Sequence, residues 1–119
     1  MEFVTLLFLF IIGHAVADYP LQIDSMARGK NRNRPLDFSK IPEGQKPVKH
    51  VWVYWLSAHS LTHAGAVFII SQNIYLAFAE FIFHWIIDFL KCENYTTIDQ
   101  DQALHILCKI AWCLIIFYG

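Results

Sequence analysis

The chain has 119 residues, 56% of them apolar and only 16% charged, with a net charge of −1. That is the wrong composition for a soluble domain of this size, and the balanced charge gives no sign of a nucleic-acid partner, so a membrane is the better setting. Three cysteines, Cys92, Cys108 and Cys113, form no CxxC pair and imply no disulfide framework.

In chain order, the first apolar stretch covers about 2–20. Its opening MEFVTLLFLFIIGHAVAD carries a signal-like Ala-Val-Ala, but it lacks a basic leader and holds His14 inside the apolar run, so it reads as a membrane helix. Tyr19-Pro20 should end it, because proline lacks the backbone donor and crowds the preceding turn, with Leu21 to Met26 continuing as a short interfacial turn. A loop rich in Arg, Lys, Pro and Gly follows at 27–49. Further apolar stretches lie at 50–71, 73–91 and 99–118, each near the roughly 20 residues a helix needs to cross the hydrocarbon core. Ser71-Gln72-Asn73 makes a tight hairpin, and Cys92 to Ile98 a short polar turn. The expected fold is all-α: a single domain, 1–119, forming an up-down four-helix transmembrane bundle. Asn94-Tyr95-Thr96 is formally a glycosylation sequon, attributed to chance.

Arg28, Lys30, Arg32, Arg34, Lys40, Lys46 and Lys49 fall in the long loop, and Lys91 in a turn on the same face; only Lys109 of the nine basic residues lies inside a helix. Short basic loops stay cytoplasmic, which puts both termini outside.

Each apolar stretch also carries a pair of ligand-type residues four apart: His14 and Asp18, His59 and His63, His84 and Asp88, Asp101 and His105. That spacing puts both members on one helix face, one turn apart. About one histidine in five would have such a neighbour from composition alone; five of the six have one. Along the up-down path, all four pairs lie at the basic face and form one layer. Asp at mid-helix in hydrocarbon costs about 2.5–3.5 kcal/mol, and a divalent cation offsets that burden. Mixed imidazole and carboxylate ligands suit Zn, Mn or Fe, as one ion or as two ions about 3.5–4 Å apart. The competing account is hydrogen-bonding glue between helices, to which repetition on four helices is the counter-argument.

Glu80, one turn before His84, is the candidate proton acceptor, with a further ligand, an outer partner or an interhelical hydrogen bond as its other roles. Asp99 reads as a helix cap and His50 as an interfacial residue. Arg28, Lys30, Arg32 and Arg34 could hold anionic lipid headgroups, or serve only as a topology signal. Trp52, Tyr54 and Trp55 look like an aromatic belt.

The segments HAVADYPLQIDSMARGKNR, YWLSAHSLTHAG, AEFIFHWIIDFLKCE and DQALHILCKIAW together resemble the small phage and bacterial membrane proteins grouped as domain of unknown function 3307. The resemblance covers nearly the whole chain and implies a phage or bacterial source, hence the inner membrane of a bacterial host, but no activity. More distantly, the chain is similar in style to membrane-bound metal-dependent hydrolases of the bacterial inner membrane, and no residue is carried over from that likeness.

The resulting expectation is a membrane-embedded metal-dependent hydrolase at the cytoplasmic face, acting on a lipid or lipid-linked phosphoester. Its rivals are a pore-forming, superinfection-exclusion or lysis-control effector with a structural metal, and a proton or metal conduit. Small residues at Gly13, Ala15, Ala17, Ala58, Ala64, Gly65 and Ala66 would support close helix contacts within one chain or a homo-oligomer.

Overall fold

The structure is a computed structural model that describes residues 1–34, 43–46 and 49–119. Lys40 lies outside the described residues, as do other parts of the 27–49 loop. Among the described residues the chain is all-helical: α1 (Phe3–Asp18), α2 (Asp24–Gly29), α3 (Val51–Ser71), α4 (Ile74–Cys92) and α5 (Ile98–Tyr118).

The helix ends follow local chemistry. α1 stops two residues before Pro20, as the missing donor requires. α3 ends where Gln72 takes a left-handed conformation (φ 53°), and Asn73 then caps α4 by accepting from the Tyr75 and Leu76 amides. At α5 the cap is Thr97 in a reciprocal capping box with Gln100. Asp99, expected to be the cap, instead sits in the first turn, where its charge favours the helix dipole. The other correction concerns the long loop, because its first residues are not loop. Helix α2 runs through Gly29 and packs on α3.

The four long helices close a ring in the order α1, α3, α4, α5, each antiparallel to its neighbours. Gly13 lets α1 approach α3, since a Cβ there would meet Ile70 at 3.1 Å and Ala66 at 3.4 Å. The half of the ring away from the basic loop is filled by Leu6, Phe10, Val67, Leu76, Trp112 and Cys113. The other half buries His, Asp, Glu and Lys side chains, while Phe8, Ile69, Phe78, Ile82 and Leu107 face outward. α3 and α5 are long and apolar enough to cross a membrane, and α1 is apolar but shorter.

Candidate metal centre

The four helices deliver their ligand-type residues at one level because the antiparallel ring places the end of α1 beside the start of α3, and the end of α4 beside the start of α5. One ligand atom from each of Asp18, His59, His63 and His84 falls within 4.8 Å of the others. Asp18 Oδ1 lies 2.8 Å from His63 Nε2 and 3.3 Å from His59 Nε2. Donors bonded at about 2.1 Å to a tetrahedral ion sit about 3.4 Å apart, so these spacings need only small adjustments to receive one. Among the described residues neither ring nitrogen of His84 is hydrogen-bonded, and neither is His59 Nε2. Buried imidazoles normally find partners, so these free nitrogens fit a cation better than a hydrogen-bonded core. The donor set is three imidazoles and a carboxylate, chemistry suited to Zn, Mn or Fe.

The other predicted ligands surround this group rather than join it. The Gln102 amide nitrogen donates to Asp18 Oδ2 (3.0 Å) and Asp101 Oδ2 (3.2 Å), and its oxygen faces His14 Nε2 at 3.0 Å. Ionised carboxylates only accept, so the amide nitrogen must face them and its oxygen must face His14. His14 therefore carries its proton on Nε2 and donates it to Gln102. Its place is beside Asp18, with Nε2 3.2 Å from Oδ2. His105 stacks on His84 with ring centroids 4.2 Å apart, and His84 on His63 at 3.7 Å. Asp101 Oδ1 lies 3.3 Å from His105 Nε2. Asp88 is held by two ammonium groups, Lys30 at 2.6 Å and Lys91 at 3.0 Å.

Glu80 lies one turn deeper. Lys109 donates to Oε1 at 2.5 Å and Trp112 to Oε2 at 2.7 Å, while His84 Nδ1 is 3.6 Å from Oε1. With both oxygens engaged elsewhere, Glu80 is a charged neighbour of His84 rather than its hydrogen-bond partner or a free proton acceptor.

The basic run is partly turned inward. Lys30 is buried, Arg32 pairs with Glu93 while lying over the Trp52 and Phe89 rings, and Arg28 pairs with Asp24 along α2. The hydrogen bond from Arg32 holds the Glu93 carboxyl below its ordinary range and raises the guanidinium in turn. Asn33 donates to the Cys92 carbonyl at the end of α4. Arg34 and His50 are exposed, and so is Tyr54; Trp52 instead packs on Trp85 and Phe89. Lys30 and Gln102 are the residues that sequence reasoning missed: one looked like a member of a solvated charge run and the other like an ordinary polar helix residue. Lys109, expected to be the one basic residue inside a helix although the structure also puts Arg28 in α2 and Lys91 in the last turn of α4, shows how the signal works, because a cation deep in an apolar helix calls for a buried partner.

No curated protein and no solved structure matches the chain. A family profile matches residues 6–118, an interval that holds all eight predicted ligands together with Glu80 and Lys30. The chain thus belongs to the family described as protein of unknown function (DUF3307).

Proposed function

We propose that this protein is a multi-pass membrane protein that binds a divalent metal through Asp18, His59, His63 and His84, and that it uses the ion to hydrolyse a lipid or lipid-linked phosphoester at the bilayer face next to the basic loop. The observation that carries the reading is the convergence of those four side chains from three helices on one point, within 4.8 Å. The inverted distribution of polarity supports the membrane setting. Imidazoles, carboxylates and Lys109 lie inside the ring, while isoleucine, leucine and phenylalanine face out. α4 carries Glu80, Asp88 and Lys91, but the two carboxylates are buried and Lys91 turns toward Asp88, so its outer face is as apolar as those of α3 and α5. The concentration of Lys and Arg near the metal layer supports a cytoplasmic loop and outward termini in a bacterial inner membrane, with a phage origin in keeping with the resemblance.

A bound divalent ion would supply Lewis acidity toward water and a phosphoester oxygen. The chain's residues do the rest. Asp18 presents one oxygen to the cluster while the Gln102 amide, itself held by His14, donates to the other. Glu80, fixed by Lys109 and Trp112, places a carboxylate charge 3.6 Å from His84 Nδ1. The Asp18 side chain is the most exposed of the four, at 11%, and is the side of the cluster that substrate can approach. A second reading, a structural metal in a non-enzymatic membrane effector, draws on the near-complete burial of the three histidines. The conduit reading is disfavoured by the apolar plug, which interrupts any polar path through the bundle. A Cβ added at Gly65 would meet no atom within 4 Å among the described residues, so the face around it is open and a second copy could pack there and make a homo-oligomer.

The test is elemental mass spectrometry on untagged protein in mild detergent, beside His63→Ala and His84→Ala, followed by assays on phospholipid and lipid-diphosphate substrates. The reading expects bound Zn, Mn or Fe that both variants lose, with hydrolysis lost in parallel. A folded, metal-free protein with intact function would end it, while bound metal without turnover on any lipid phosphoester would leave the structural reading.

A further inference from the structure

Lys30 is the side chain whose position departs most from its sequence surroundings. It follows a short helix in a basic, polar segment, yet it is 4% exposed. Three contacts put it there. Gly29 lies flat against Trp55, where any Cβ would come within 2.3 Å of the ring. Arg32 is held by Glu93 and two aromatic rings, and Asn33 by the Cys92 carbonyl. The segment 29–33 is thus a strap across the ends of α3 and α4, and it lowers the Lys30 ammonium onto Asp88 Oδ2 at 2.6 Å.

That ammonium stands at the edge of a second cation position. His59 Nε2 lies between two carboxylates, 3.3 Å from Asp18 Oδ1 and 3.6 Å from Asp88 Oδ2, without a hydrogen bond among the described residues. Both separations match the about 3.4 Å edge of a coordination tetrahedron. Asp18 could then bridge two ions: His63 and His84 would keep the first, and His59 would turn to the second with Asp88. A dication there would meet the Lys30 ammonium on the same Asp88 oxygen, and Lys91 on the other.

We propose that Lys30 is the built-in second cation of this centre: seated by the strap against Asp88, it keeps the site mononuclear, and removing it opens a second divalent-metal site between Asp88 and His59. The proposal rests on the metal reading above, but the two fail differently. The experiment loads untagged wild-type protein, Lys30→Met, Lys30→Arg and Gly29→Ala with Mn(II) in detergent, then measures ions per chain by elemental analysis and ion–ion coupling by electron paramagnetic resonance. Wild type and Lys30→Arg should hold one uncoupled ion. Lys30→Met should hold two coupled ions. Gly29→Ala keeps every ionisable group and only unseats the strap, so it should also gain the second ion and guards against misfolding of the methionine variant. Adding Asp88→Asn to Lys30→Met should return the count to one. Two coupled ions in wild type, or a single ion in both folded Lys30→Met and folded Gly29→Ala, would overturn the proposal while leaving the metal reading intact. No ion in any of the proteins would overturn the metal reading itself.

Discussion

Replacing Lys109 with methionine tests the most expensive arrangement in the bundle. Lys109 and Glu80 are both nearly inaccessible, their charged atoms are 2.5 Å apart, and the second carboxylate oxygen accepts from Trp112. Methionine keeps much of the side-chain length but leaves Glu80 as a buried anion with one neutral donor. Breaking a buried pair from one side costs about 3–5 kcal/mol, roughly two to three and a half orders of magnitude in the folding equilibrium at about 1.4 kcal/mol per tenfold. Replacing both partners removes the stranded charge, so Lys109→Met with Glu80→Gln should recover most of that loss. Reversible unfolding in mixed micelles, followed by circular dichroism, measures Lys109→Met, Glu80→Gln and the double variant against wild type in one cycle. A Lys109→Met protein within 0.5 kcal/mol of wild type, an order-of-magnitude threshold for a surface change, would refute the argument, as would a double variant no better than the single one.

The remaining predictions address the ligand ring, a helix cap and the strap. His14→Ala should keep the ion but weaken it by about 10–100-fold, the usual effect of an outer partner, whereas His63→Ala should lose it; calorimetric metal titration separates the two. Thr97→Ala removes the side-chain acceptor of the α5 capping box and should cost about 1 kcal/mol, read by the same micelle unfolding. The Glu93 carboxyl is lowered from an ordinary value of 4.5 by its bond from Arg32, so its contribution to holding the strap is complete above that value and fades as pH falls through the lower folded-state value. Hydrogen exchange at Asn31 to Arg34, corrected for intrinsic rates, should therefore show the strap opening more often in acid than at neutral pH, and Arg32→Gln should remove that dependence.

The helices were legible because apolar runs of about 20 residues, separated by proline, asparagine and polar turns, leave little choice of register, and the observed ends fall within about two residues of the expected ones. The four i,i+4 pairs were legible for a related reason, since an ionisable residue in an apolar helix must face inward. What spacing alone does not encode is rotation about each helix axis. It is that rotation which gathers Asp18, His59, His63 and His84 and sends Asp88 to Lys30. Lys30 itself was hidden by its neighbours, because Arg28, Arg32 and Arg34 make the segment read as uniformly solvated. The clue was Gly29, which places the backbone flat against an aromatic ring.

In the membrane setting proposed above, the length of α1 would have a consequence for the surrounding lipid. Sixteen residues rise about 24 Å, against about 32 Å for the 21 residues of α3 or α5, and the hydrocarbon of a typical bilayer is about 30 Å thick. Lipids along this edge of the bundle would then thin to match the shorter wall. In that setting the thinning would bring headgroups closer to Asp18, the most exposed of the four proposed ligands.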